Sequence, residues 1–580
     1  MSDGQPYAPG GVELPPGGIE PPRRSMRPLG ITIVAVLVMA VVGLAGFAIV
    51  QNLGPAASPR PSGSFAAGAS PSLTPSTDGP SGGPTKTPKP GTTPKPGTTP
   101  GPTGTPAPTG TPAPTGDVAM PIVPVVGFWS SATDISTADL KAALQGQSAT
   151  YKKVSVSAAD RDAIGQALGV TINASVQTGD AAAIGTAVKG GALGLMRASD
   201  VRPSVRALSI DGKALFGEAR VKQTADWPLT LTVQAPLDQA WDQAKTWTLL
   251  AGGDMFLDRG VRRMVVDHGN NADYPFDGGT ARVTGHHCCG VYVTIHPVAD
   301  VQLTGNKGAV RDLTKNADLT IANLENPVPD NWVYHAHDYI FSGDPSLLSM
   351  FTNAGIDWVT IANNHIRDFG SSGVIDTRKN LAAAGLGFGG AGKDIAEAGQ
   401  ISYLVANGTR VAIIACVAVL PGSWATNTSA GALPCKNAYV LPRIRQAKKN
   451  ADVVIVFAHW GAEYSRTPLN SQRDLAKAWF DAGATLVLGA HTHVSGAIEE
   501  IDGHVVVYSM GDVIFDQDWW TITMESFLPE MTFEGDRLVQ MTLHPFVMAD
   551  QAQPNLLDPA TDDGKALLKD IRHASTHLDW

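Results

Sequence analysis

The chain has 580 residues, too many for one hydrophobic core, so two or more domains are expected. Its formal charge of −10 and the lack of any long basic face exclude a nucleic-acid-binding role.

Residues 1–28 are polar and rich in Pro and Gly, and read as a disordered cytoplasmic tail. Residues 29–50 (LGITIVAVLVMAVVGLAGFAIV) carry no charge and are long enough to cross a hydrocarbon layer of about 30 Å as one transmembrane helix. Arg23, Arg24 and Arg27 precede them, which favours a cytoplasmic N-terminus and puts everything after residue 50 outside the cell. A cleaved signal peptide is the alternative, although its apolar region is usually shorter, about 7–15 residues. Residues 51–117 repeat TPKPGT and GTPAPT. That composition cannot bury a core, and predicts a disordered linker reaching on the order of 200 Å when extended.

Residues 118–245 predict a small α/β domain. MPIVPVVGFW, LGLMRAS and VRALSIDG read as strands; STADLKAALQG, AADRDAIGQALG and DAAAIGTAVKGG read as helices. The VPVVGFW opening and the helix after it resemble one lobe of bacterial solute-binding proteins. No residue there carries a chemical signature, and a spacer or partner-docking role is the expectation.

Residues 246–548 carry six apolar runs that each end in a metal-binding or acid–base residue: Asp254, Glu325, His365, His459, His493 and Asp512. Such Val-, Ile- and Leu-rich runs predict buried strands, and ligands gather beyond the carboxyl ends of strands in layered α/β folds. SLLSMFTNAG, VIDTRKNLAAAG and SQRDLAKAWFDAG read as helices between them, and residues 549–580 as a helical tail with Leu567, Leu568, Ile571 and Leu578 near one face.

A two-metal hydrolytic pocket needs carboxylates, neutral imidazoles and usually an amide oxygen, brought from several strands to ions about 3.5–4 Å apart. Asp254, Glu325, Asn364, His459, His491 and His493 are the candidate metal ligands. In an extended backbone, His491 and His493 would turn both imidazoles toward one ion. His365, beside Asn364 in ANNHIRDFG, is a candidate general acid. Asp368 is either the partner that fixes its tautomer or a cap over the FGSSG segment. Arg259 would pair an anionic substrate or form a surface ion pair, and Asn323 is a further candidate for substrate contact. His286 to Cys289 (HHCC) suggest zinc, but four adjacent residues cannot easily turn toward one ion. A cystine with Cys416 or Cys435, or plain packing, is the stronger expectation there. Outside the cell Cys416 and Cys435 could also pair with each other, or stand as two structural thiols.

GGDMFLDRG, NLENPV, ANNHIRDFG, HWGAEY, GAHTHV and YSMGDVIFDQ, in this order over about residues 247–545, resemble the motif set of CapA-type (PgsA-like) capsule poly-γ-glutamate biosynthesis proteins, within the calcineurin-like metallophosphoesterase superfamily. The resemblance implies a four-layer α/β/β/α sandwich with its site at the strand ends. It makes Asp254 the first metal-binding carboxylate and puts Glu325 where a bridging Asp usually lies. Asn364 and His365 would be a ligand and a general acid, and His459, His491 and His493 the remaining imidazole ligands. HWGAEY offers Glu463 as a substrate-side carboxylate, with Trp460 and Tyr464 as pocket walls. Two departures stand out. Phe256 occupies the third position of the Asp-x-His motif of catalytic phosphoesterases, so one metal position loses an imidazole. Either Glu463 and the remaining groups compensate, or only one ion binds tightly. Asp512 stands where the family more often has Asn, and would add a ligand or cap the next turn; the cap is favoured slightly.

The resemblance implies a membrane-anchored, extracytoplasmic protein acting in synthesis, export or hydrolysis of an anionic cell-surface polymer, poly-γ-glutamate, with one or two divalent ions. The donor set suits Mn, Fe or Zn. One alternative is a non-catalytic binding or assembly subunit beside other capsule synthesis subunits, which Phe256 favours. The other is a metal-dependent phosphodiesterase using the same pocket.

Overall fold

The Val- and Ile-rich runs of the second half are strands, and they belong to two separate sheets within a mixed α/β fold. The computed structural model describes residues 114–281, 286–288, 291–293, 307–336, 339–518 and 520–580. The expected cytoplasmic tail, membrane helix and spacer up to residue 113 lie outside the described residues, as do the side chains of His286 to Cys289. Among the described residues no helix is long and apolar enough to cross a membrane.

The first unit contains β1 (Thr115–Gly127), α1 (Thr137–Leu144), β2 (Val154–Ser157), α2 (Arg161–Leu168), β3 (Gln177–Gly179), α3 (Ala181–Lys189), β4 (Leu193–Arg197), β5 (Val205–Ala207) and β6 (Thr230–Pro236). The sheet runs β3-β2-β4-β1-β5, and β6 pairs with the first half of β1. Ser136 and Asp180 accept backbone N–H groups at the starts of α1 and α3, as short polar N-caps do. Val539, from the second unit, packs into this core.

The second unit opens with β7 (Thr246–Met255), followed by α4 (Ala309–Asn316), β8 (Leu319–Leu324), β9 (Trp358–Thr360), α5 (Gly370–Ala384) and β10 (Gly387–Gly389). Next come β11 (Ser402–Ala406), β12 (Thr409–Val417), α6 (Asn437–Ala447), β13 (Val453–His459), α7 (Asn470–Ala482), β14 (Leu486–Ala490), β15 (Ile498–Ile501) and β16 (His504–Val507). The chain closes with β17 (Asp512–Ile514), β18 (Glu525–Glu534), β19 (Arg537–Ala549), β20 (Gln553–Leu556) and α8 (Asp562–Ala574). One sheet has the order β10-β9-β8-β7-β18-β19-β20, with β17 beside β7; the other has the order β11-β12-β13-β14-β16-β15.

Alternation along β12 sorts its two faces. Val411, Ile413, Ala415 and Val417 join the core shared with the first sheet, while Ala412, Ile414 and Cys416 face the cluster that holds α6 and α7. Cys416 and Cys435 are joined by a disulfide that ties the end of β12 to the segment before α6.

The helix expected within residues 549–580 is α8, and a strand precedes it. β20 adds an antiparallel strand to β19, and only then does α8 begin, burying Leu567 and Ile571. Leu568 and Leu578 are partly buried against the core, and the Trp580 ring packs edge-on to Phe128 at 5.0 Å.

Candidate metal centre

The geometry starts with β7, whose ten residues are all buried. It lies parallel to β8 on one side and to β17 on the other, with Asn323 and Asp512 both opposite Asp254. Neighbouring residues in parallel register point to one face, so Asp254, Asn323 and Asp512 stand side by side. Glu325 follows immediately after β8. On the second sheet His459 ends β13, Ala490 ends β14 opposite it, and His491 follows. The carboxyl ends of both sheets therefore converge, with carboxylates from one and imidazoles from the other.

Two clusters result. Glu325, His459 and His491 offer ligand atoms within 4.8 Å of one another, and so do Asp254, His493 and Asp512. In the first, His459 Nε2 lies 3.3 Å from Glu325 Oε1 and 2.7 Å from Asn364 Oδ1. In the second, His493 Nδ1 lies 2.9 Å from Asp512 Oδ1 and 3.7 Å from Asp254 Oδ2. Asn323 Nδ2 joins the two clusters, donating to Asp254 Oδ1 at 2.7 Å and to Glu325 Oε2 at 2.5 Å.

The expectation that His491 and His493 face one ion is corrected. Neither backbone is extended: φ is 98° at His491 and 57° at His493, left-handed values that side chains other than glycine rarely adopt. Thr492 between them is pinned, its hydroxyl bonded to Ser509 Oγ and Val494 O, its carbonyl accepting from Tyr464 N–H. The turn sends one imidazole to each cluster. Gly253 is required for a different reason: a Cβ there would sit 1.8 Å from Gly511 O, so only glycine lets β7 approach the 511 turn and place Asp254.

Several further expectations are corrected. Asp512 caps nothing; it is fully buried, opens β17 and belongs to the second cluster. Glu463 is exposed and outside both clusters, so Asp512 is the extra carboxylate where Glu463 was expected to compensate. Arg259 is neither substrate-facing nor a surface pair. It is 2% exposed, its guanidinium bonds Asp516 at 2.5 and 3.2 Å, and it lies 4.9 Å from the Phe256 and Phe341 rings. Asn323 faces the carboxylates, not a substrate. Trp460 is a core residue stacked on Trp479 at 5.3 Å, whereas the Tyr464 ring lies at the rim, 6.1 Å from His493. Phe256, in the place of the missing imidazole, stacks on Phe515 at 4.5 Å.

Asn364 and His365 are half-buried beside the first cluster. His365 Nδ1 lies 2.9 Å from Asp368 Oδ2, and its ring packs on Phe341 at 4.1 Å. Asp368 Oδ2 also accepts the Phe341 N–H, so the carboxylate is fixed from two sides. Three residues of this region escaped sequence reasoning. Asn363 bonds Leu324 O and so ties the Asn-His loop to β8; Asp516 holds Arg259; and Asp258 bonds His335. The doubled Asn of ANNH was the only signal for the first, and isolated aspartates gave none for the others.

Burial pushes the Asp254, Glu325 and Asp512 carboxyls up, with Glu325 adding to the effect on Asp254 and Asp516 to that on Asp512. Burial, then neighbouring imidazoles, hold His459 and His491 well below the ordinary histidine value. Three buried carboxylates and neutral imidazoles are the donor set a divalent cation needs, and the cation reverses the penalty on the carboxylates. The fit has an independent sign: Glu325 Oε1, His491 Nδ1 and Asp512 Oδ2 are buried without any hydrogen bond among the described residues. Each would otherwise cost about 1–3 kcal/mol, and each belongs to one of the two clusters.

The sequence profile described as "Bacterial capsule synthesis protein PGA_cap" matches residues 248–517. The capsule biosynthesis protein CapA of Bacillus anthracis is 31% identical over 365 residues, which cover 61% of this chain and 80% of that one. The PGA biosynthesis protein CapA of Bacillus subtilis is 35% identical over 237 residues, 39% of this chain, and the chain spans 62% of that relative's length. Among solved structures, a 5'-nucleotidase precursor from Thermus thermophilus aligns over 57% of this chain and 58% of its own, at 13% identity and a TM-score of 0.32. On the strength of the extended match to the Bacillus anthracis protein, the chain belongs to the CapA family of bacterial capsule synthesis proteins.

Proposed function

We propose that this protein is a membrane-anchored, extracytoplasmic CapA-type protein that acts on an anionic cell-surface polymer, poly-γ-glutamate or one like it, through a two-ion hydrolytic centre. The anchor and orientation rest on the uncharged stretch 29–50 and the arginines before it. We assign the second unit a four-layer α/β/β/α arrangement, supported by the two-faced packing of β12 against the first sheet and against α6 and α7.

The observation that carries the reading is the pairing of Glu325–His459–His491 with Asp254–His493–Asp512, each cluster drawing on both sheets. Asn364 would complete the first cluster through Oδ1. Bound ions would supply Lewis acidity at a phosphoryl or amide centre and lower the pKa of water there. The chain's residues do the rest. Asn323 holds the two carboxylate sets at fixed separation. Phe256, Phe341 and Phe515 wall the centre with apolar surface. His365, oriented by Asp368, stands at the rim to protonate a leaving group.

The test is elemental analysis of the purified protein together with assays of poly-γ-glutamate and of a generic phosphodiester. Turnover lost in His365→Ala and Asp254→Ala, with folding retained, would support the reading; a metal-free, inactive wild type would refute its enzymatic part. Phe256 favours a second reading, a binding or assembly subunit. Polymer binding that survives Asp254→Ala without turnover selects it.

A further inference from the structure

A second Asp–His pair stands beside the first. His335 Nδ1 lies 2.8 Å from Asp258 Oδ2, and Asp258 is fully buried. Asp258 Oδ1 accepts the N–H groups of Arg259 and His335, and Oδ2 also accepts the N–H of Ser342 at 2.9 Å. With both oxygens committed, the aspartate can neither move nor turn. The two pairs are linked through consecutive peptide groups, since Phe341 N–H binds Asp368 of the His365 pair and Ser342 N–H binds Asp258. The His335 ring lies 6.1 Å from Phe369, the residue after Asp368. Both imidazoles are therefore tied to the one Phe341–Ser342 segment.

With Nδ1 on Asp258, Nε2 is the edge left for a ligand, and the side chain is 17% exposed. Two arginines lie nearby, with the Asp258 and Asp267 carboxylates among them. Arg262 lies 4.8 Å over the Tyr334 ring and 5.5 Å over Trp332, and pairs with Asp267. Arg263 bonds the neutral Gln551 and forms no salt bridge among the described residues. Asp267, four residues further on, pairs with Arg262 instead.

We propose that His335, held by Asp258, is a second ligand-contacting imidazole of this site, and that Nε2 takes an oxyanion, phosphate or carboxylate, of the bound molecule. Asp258 is the positioning residue, and Arg263 supplies long-range attraction. The placement of His335 at an active centre rests on the metal-site reading; its contact with an anion does not.

The experiment uses the full chain and two probes, inorganic phosphate and a poly-γ-glutamate oligomer, which separate a phosphate from a carboxylate source. Calorimetric binding is compared between wild type and His335→Gln, with bound metal measured on the same samples. In parallel, wild-type His335 is labelled with diethyl pyrocarbonate, with and without saturating probe. The expected result is binding at least about tenfold weaker in His335→Gln, with metal content and unfolding midpoint unchanged, and slower labelling when probe is bound. Binding within about twofold of wild type, labelling that probe does not slow, or a wild type that binds neither probe would each overturn the proposal. A metal-free wild type whose anion binding still depends on His335 would uphold this inference while refuting the metal-site reading.

Discussion

His491 and His493 are two residues apart, yet their imidazoles serve different clusters, with ring centroids 6.3 Å apart and both backbones at positive φ. His491 sits with His459 and Glu325, and its N–H binds Asp254 Oδ2 of the other cluster at 3.1 Å. The H-x-H motif is thus the hinge between the two clusters. His491→Ala and His493→Ala should each remove one metal equivalent and leave the other. Elemental analysis of each variant checks this; loss of both ions in either variant would show a single shared position.

Asn323 keeps two buried carboxylate groups in register. Asn323→Ala should weaken metal binding by about 10–100-fold, as loss of a supporting hydrogen bond behind metal ligands does. Competition against a fluorescent chelator reads the change, and unaltered affinity would argue against the bridging role.

Metal-stripped protein should lose stability as pH rises toward neutrality. Burial pushes Glu325 from the ordinary 4.5 up to about 7, so the folded chain holds a proton there that the unfolded chain has released. Stability therefore falls across that interval, by linkage. Asp254 and Asp512 act in the same direction, and these three carboxyls outnumber the depressed His459 and His491, which act oppositely below the ordinary 6.5. Thermal unfolding of chelator-treated protein at pH 5 and pH 7 should show the lower midpoint at pH 7, recovered when divalent metal is added back.

The Arg259–Asp516 pair lies inside the aromatic wall, with both side chains buried. Arg259→Ala should destabilise by about 3–5 kcal/mol, because it leaves a buried carboxylate unpaired. The double change to Leu at both positions should recover much of that loss. Denaturant unfolding measures both; equal destabilisation by the single and double variants would deny the pairing energy.

Gly253→Ala should destabilise by about 1–3 kcal/mol or more through overpacking against the 511 turn, and should lower metal occupancy by displacing Asp254. Calorimetry and elemental analysis on one sample test both effects.

The strand ends were legible because buried parallel strands read as unbroken apolar runs, and their polar last residues stand out. Asp254, Glu325, His459 and His493 could be named on that ground, and Asn364 and His491 as the amide and imidazole beside such ends. Their division into two clusters could not, since left-handed backbone at a histidine leaves no mark in the residue types. Asp512 was open to two readings because its role depends on β17 pairing with β7, a contact 258 residues away in sequence by the register Asp512 to Asp254. The ion pair of Arg259 with Asp516 was hidden for the same reason. β18 to β20 were not anticipated. They carry Glu530 and His544, which pair across the sheet, Gln540, which reaches the first unit, and Gln553, which holds the loop at Thr280, so the runs lack the clean apolar pattern of the central strands.

The most direct test is the number of divalent ions held by the purified protein, counted by elemental analysis for wild type, His491→Ala and Asp512→Asn. We expect two per chain in wild type and one in each variant. A wild type that holds none after exposure to Mn, Fe and Zn in turn would contradict the account.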